Sequence, residues 1–182
     1  MLLIGAQMKK LILGLLIGGF VMAGAAAKTA VVYFSVTGNT ERMANKAVQA
    51  LGADIFEIQP AQKYTKADLN WRDKKSRATV ECNDPKSRPA IASAIDLSSY
   101  DTVILCHPIW WAYAPKVVYT FVESQNWSGK KLINLCTSGG SGLGQSGTDL
   151  AKFAKGASYK GGKDFTRGSG DDIKKFVNDL LK

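Results

Sequence analysis

The sequence predicts an α/β domain built on a doubly wound parallel sheet. Two observations carry this expectation. From residue 28 onward, five strand-like segments alternate with five helical ones, the order that gives parallel strands joined by right-handed crossovers. The segments at 30–34, 102–106 and 131–136 are short and nearly all apolar, as expected of strands buried on both faces.

The elements follow in order. Residues 30–34 (AVVYF) form the first strand, and 41–51 the first helix, with Met43, Ala44, Ala47, Val48 and Leu51 at helical spacing and Gly52 ending it. Residues 54–58 alternate in polarity and read as a strand nearer the sheet edge, closed by Pro60. The stretch 61–99 is charged and irregular, with one short helix expected near 91–95. The strand at 102–106 precedes a helix at 116–124, for which Pro115 is a favourable start. Residues 131–136 form the next strand, 148–155 a helix, and 158–165 a weaker strand. The final helix, 171–181, carries Ile173, Phe176, Val177, Leu180 and Leu181 on one side. Asp171 and Asp172 lie in its first turn, complementing the positive helix end.

Residues 1–27 are read separately as a signal peptide. Lys9 and Lys10 precede an apolar run at 11–22, and small residues follow through Ala25-Ala26-Ala27. This is the order of a cleavable secretory signal, and the run is shorter than the roughly 20 residues of a spanning helix. The expected domain is therefore 28–182, periplasmic or secreted after cleavage; the alternative is a retained membrane anchor.

The chain carries 24 Lys and Arg against 15 Asp and Glu. Removing residues 1–27 removes two Lys, leaving 22 − 15 = +7. Such a surface favours anionic partners, but no basic run interleaved with aromatics points to nucleic acid. Cys82, Cys106 and Cys136 form no metal-binding pattern, and His107 is the single histidine, so no metal site is expected. Cys106 and Cys136 end apolar runs and read as small buried hydrophobes.

In such sheets ligands bind beyond the carboxyl ends of the strands, which directs attention to three loops. The first is Ser35, Val36, Thr37, Gly38, Asn39 and Thr40. It leaves a buried strand and enters a helix, where exposed amides and the helix dipole attract a phosphate. Gly38 lets the turn tighten, and three hydroxyls add donors. The loop has no Lys, so it is not a Walker loop; neutral donors suit a phosphate that stays bound. The plainer alternative is a strand-to-helix turn with Thr40 as N-cap. The second loop runs from His107 through Pro108, Ile109, Trp110, Trp111 and Ala112 to Tyr113-Ala114-Pro115. The third contains Thr137, Ser138, Gly139, Gly140, Ser141 and Gly142.

At these residues the chain resembles the flavodoxin family. Ser35 to Thr40 fits that family's [T/S]-x-T-G-x-T phosphate loop, and the second loop is similar to a P-I-W-W-G-x-x-P segment of one subgroup. The resemblance spans roughly 29–181. It implies strand order 2-1-3-4-5, helices on both faces and FMN as cofactor. Trp110 or Trp111 then offers an aromatic face for the flat isoalloxazine ring, with the other packing on protein. The small residues of the third loop let backbone amides approach the pyrimidine edge. Ala112 stands where the subgroup usually has Gly. Other users of this sheet fit less well. A phospho-receiver needs acids near the first strand and an Asp ending the third, and a small tyrosine phosphatase needs C-x5-R in the first loop; neither pattern is present.

The resemblance implies an FMN-binding electron-transfer protein, with no side chain assigned a catalytic role. Its basic charge predicts an acidic redox partner, or association with an anionic membrane surface. Two alternatives stand beside it: an FMN-dependent NAD(P)H oxidoreductase acting on a quinone or similar small acceptor, and an exported flavin-binding domain without turnover. No second nucleotide-binding motif is evident, which favours the carrier.

Overall fold

The computed structural model describes residues 28–182. The expected signal segment, and with it the choice between cleavage and anchoring, lies outside the described residues. Ten elements alternate: β1 (Thr29–Tyr33), α1 (Asn39–Leu51), β2 (Asp54–Glu57), α2 (Arg77–Asn83), β3 (Thr102–Pro108), α3 (Lys116–Ser124), β4 (Lys131–Thr137), α4 (Ser146–Phe153), β5 (Ser158–Asp164) and α5 (Gly170–Leu181). The strands pair in parallel in the order β2-β1-β3-β4-β5. This is the expected flavodoxin-like architecture.

The sheet has two cores because its central strands are apolar on both faces. On one face Val32, Phe34, Val103, Leu105 and Leu132 pack with Val117, Phe121, Trp127 and Leu150. On the other, Val31, Ile104, Ile133 and Leu135 meet Met43, Ala44 and Ala47 of α1 and Ile173 and Val177 of α5. Neighbours such as Val31 and Val32 thus serve opposite layers, which explains the unbroken apolar runs. β2 lies at the edge and exposes both Asp54 and Ile55, so its placement at the sheet edge is as expected, while its burial does not alternate.

The helix ends obey local chemistry. Gly52 stops α1 with φ 64° and donates its amide to Val48 O. Ser169 and Asp172 form a reciprocal capping box on α5.

One element differs from expectation. Residues 91–95 are not helical; the short helix of this region is α2. Ile91 and Ile95 have helical spacing, but the backbone beside Ile91 is extended. It bridges Pro60, with Ala61 N donating to Ala90 O and Ala92 N to Gln59 O. Backbone donors committed to that bridge are lost to a helix. The three cysteines are free, with Cys106 and Cys136 buried as expected.

Candidate functional site

A cavity of about 240 Å³ opens at the carboxyl ends of β1, β3 and β4, beside the point where the chain reverses its direction across the sheet. Ser35, Val36, Thr37, Asn39 and Thr40 line one side, Pro108, Ile109 and Trp110 a second, and Thr137, Ser138 and Gly139 a third. The structure therefore brings all three loops to one place.

The first loop is a cradle of donors. Gly38 occupies the N-cap of α1 with φ 79°, a left-handed conformation open to glycine, and no side chain caps the helix. Thr40 is therefore inside the first turn rather than at the cap. The amides of Asn39, Thr40 and Glu41 have no hydrogen-bond partner among the described residues; the helical ladder begins with Arg42 N donating to Gly38 O. Three open amides at a positive helix end make an anion site. The Ser35 hydroxyl accepts from Gly38 N at 3.1 Å and keeps its own proton to donate. Arg42 folds back over the loop: it bonds Asn39 Oδ1, and its Nη1 stands 3.5 Å from where a Cβ on Gly38 would lie. The loop itself holds no cation, but α1 supplies one.

The second loop is a tight turn. Trp110 N donates to Tyr113 O at 2.8 Å, and Tyr113 N returns the bond at 3.0 Å. The two residues between them, Trp111 and Ala112, have φ of 48° and 68°. Positive φ at both central positions is the signature of a type I′ turn, which favours glycine at the second. Ala112 occupies that second position and carries the strain that the subgroup's usual glycine avoids. Trp110 stands edge-on to Phe34 (5.7 Å between ring centres) and to Tyr64 (5.3 Å) while still lining the cavity. Tyr64 is anchored in turn: its hydroxyl donates to Glu81 at 2.5 Å, and the Arg77 guanidinium lies 4.1 Å from its ring centre. Trp111 faces a second, adjoining cavity of about 460 Å³ lined by Thr37, Leu69, Trp71, Ile109, Trp110 and Trp111.

The third loop is organised by Ser138 and Asp164. The Ser138 hydroxyl donates to Asp164 Oδ2 at 2.5 Å and accepts from Gly140 N and Gly142 N at 3.1 and 3.0 Å. Its donor and both lone pairs are thus engaged, so the side chain shapes the loop. The amides of Gly140 and Gly142 turn inward for the same reason, and of the loop's glycines Gly139 lines the cavity. Burial raises the Asp164 pKa, but bonds from Ser138 and Thr166 outweigh it and hold the carboxyl below its usual range.

The family assignment follows from sequence and fold together. The flavodoxin family profile matches residues 28–180. The chain belongs to the flavodoxin family. Among solved structures it is similar to a protein of Bacteroides eggerthii inferred to be a flavoprotein, at 42% identity and a TM-score of 0.82, covering 86% of this chain and 99% of that one. A corresponding Bacteroides uniformis protein shows 41% identity and a TM-score of 0.79, covering 84% and 98%. A flavoprotein of Lactobacillus acidophilus, solved in complex with FMN, shares the fold at 20% identity and a TM-score of 0.66, covering 86% and 100%. No curated protein matches.

FMN is the cofactor of flavodoxins, and the donor set of this one fits it. Open amides and hydroxyls gather at one end of the cleft for a phosphate, and aromatic and small residues at the other for a flat ring. The three loops are also fastened to one another. Thr40 Oγ1 and Thr137 Oγ1 lie 2.8 Å apart, and Ile109 N donates to Thr137 O at 2.9 Å. Behind the second loop, His107 is fully buried. Burial pushes its pKa down to about 4, so the ring is neutral. Its Nδ1 is 3.1 Å from Pro108 O and its Nε2 3.4 Å from Asn134 Nδ2. A carbonyl facing Nδ1 puts the single ring proton there, leaving Nε2 to accept from the Asn134 amide. The pair links Asn134 of the core to Pro108 of the second loop.

Several site residues were not legible as such in the sequence. Thr166 follows β5 and lines the cleft; the strand-end rule would have found it had a fourth loop been considered. Leu69 and Trp71 reach the site from the irregular segment, where no periodicity marks them.

Proposed function

We propose that this flavodoxin is an FMN-binding electron-transfer protein acting outside the cytoplasm. The observation that carries the reading is the uncapped α1 terminus facing a cleft whose opposite wall is Trp110. Residues 35–40 and Arg42 hold the phosphate, Pro108, Ile109 and Trp110 meet the ring on one side, and Thr137 to Gly139 meet its edge. FMN supplies one- and two-electron redox chemistry, which no side chain of the cleft provides. What the chain does is bind, orient and shield it. The FMN complex of the Lactobacillus acidophilus flavoprotein supports the same cofactor here.

The partner is an acidic redox protein or an anionic membrane face. The net charge of residues 28–182, +7, complements both, and charge steers encounter more than it sets affinity. The N-terminal segment supports a periplasmic or secreted location, with the mature chain beginning at Lys28.

A second reading, an FMN-dependent oxidoreductase reducing a quinone or similar acceptor, is favoured by the 460 Å³ apolar cavity beside the cleft. Anaerobic reduction of the FMN-loaded protein, followed by mixing with an acidic redox protein or with a soluble quinone, distinguishes the two. Fast reoxidation by the protein alone supports the carrier, and by the quinone alone the oxidoreductase. Failure to reoxidise with either leaves a flavin-binding domain without turnover.

A further inference from the structure

We infer that the cavity between Trp71 and Trp111 is a binding site for a flat, weakly polar aromatic molecule of the quinone class, with Trp71 as its outer wall. The inference rests on the FMN reading and names the acceptor site that the second reading requires.

Three observations carry it. The cavity is continuous with the cofactor cleft: Thr37, Leu69, Ile109 and Trp110 line both. An occupant therefore sits beside the cofactor cleft and touches the phosphate cradle at Thr37 alone. Its lining is also chemically selective. Three tryptophans, Leu69 and Ile109 make the walls, and the Thr37 hydroxyl and the indole N–H groups are the polar side-chain groups among them. With no ionisable side chain on the walls, desolvating a charged ligand there would go uncompensated, whereas a flat ring gains from stacking.

The third observation is Trp71 itself. It is 67% exposed, the most exposed large apolar side chain among the described residues. The Arg72 guanidinium lies over its ring, 5.0 Å from the ring centre. Trp111, which also lines the cavity, is held in a strained turn at φ 48°. With bound FMN reduced beforehand by NAD(P)H, a quinone seated there would accept two electrons and two protons and leave as the hydroquinone, with FMN returned to its oxidised form.

The test is equilibrium dialysis of 2-methyl-1,4-naphthoquinone against FMN-loaded protein, comparing the parent with Trp71→Ala and Trp71→Phe. FMN affinity is titrated separately for each. Because Trp71 is exposed, its replacement leaves the core intact. The expected result is naphthoquinone binding by the parent, weakened about tenfold in Trp71→Ala and largely kept in Trp71→Phe. FMN affinity stays within about twofold throughout. Unchanged naphthoquinone binding in Trp71→Ala overturns the proposal, as does a parent that binds none. A parallel fall in FMN affinity also overturns it, because Trp71 then belongs to the flavin's own wall. Failure of the parent to take up FMN at all contradicts the cofactor reading instead, and the FMN titration reads that separately.

Discussion

The hydroxyls of Thr40 and Thr137 lie 2.8 Å apart in a buried contact between residues 97 positions apart in the chain. One stands in the first turn of α1 and the other ends β4, so this bond ties the phosphate cradle to the third flavin loop. Both side chains are almost fully buried, at 1% and 6% exposure, which leaves water little access to replace a lost partner.

Thr40→Val and Thr137→Val each leave one buried hydroxyl without its partner, at a cost of about 1–3 kcal/mol. The double variant removes both groups and costs less than the sum, by about 1 kcal/mol. Urea unfolding of the four proteins measures the coupling. Strict additivity would mean that the two hydroxyls do not interact.

Ala112→Gly should stabilise the protein. At φ 68° an L-residue costs about 1–2 kcal/mol relative to its favoured conformations, and glycine's greater unfolded-state freedom returns about 0.5–1 kcal/mol of that. The expected net gain is up to about 1.5 kcal/mol, seen as a higher urea midpoint with an unchanged slope.

His107 makes stability depend on pH. The folded chain takes up a proton on this ring only near pH 4, the unfolded chain near the ordinary 6.5. Stability is therefore full above about pH 6.5 and falls as pH drops toward 4, by on the order of 3 kcal/mol. His107→Gln, which does not titrate, should flatten the profile in that window. Stability curves of identical slope for the two proteins between pH 6.5 and 4 would remove His107 as the cause.

The sheet was legible because β1, β3 and β4 are apolar on both faces, a property of composition that needs no tertiary context. The cradle was legible because a phosphate site at a helix end is built from consecutive residues, Ser35 to Thr40. What the sequence hid depends on contacts between distant segments. Arg42 belongs to a helix by periodicity, and its reach over Gly38 follows from the turn geometry. Ser138 reads only as one of the small residues of the third loop, and its bond to Asp164, 26 residues away, has no sequence signal. Residues 91–95 mimic a helix by spacing, and an antiparallel bridge to Pro60 overrides that preference.

Partner docking should weaken with salt. Exposed charges are screened beyond about 8 Å at physiological ionic strength, so the second-order rate of electron transfer to an acidic redox protein should fall as salt rises. An uncharged quinone should show little dependence. FMN occupancy is checked at each salt concentration. A flat rate with the acidic protein would separate the basic surface from docking.

The most direct test of the account is a comparison of FMN with riboflavin, which differ by the phosphate alone. In the proposed reading the open amides of Asn39, Thr40 and Glu41, the Ser35 hydroxyl and Arg42 hold that group and not the ring. Titration of purified flavin-free protein should give an affinity for FMN at least about tenfold above that for riboflavin, since charge-assisted hydrogen bonds contribute about 1.5–3 kcal/mol each. Glu41→Pro removes one of the converging amides and should narrow the difference. Equal affinity for the two flavins would contradict the assignment of residues 35–40 as the phosphate site.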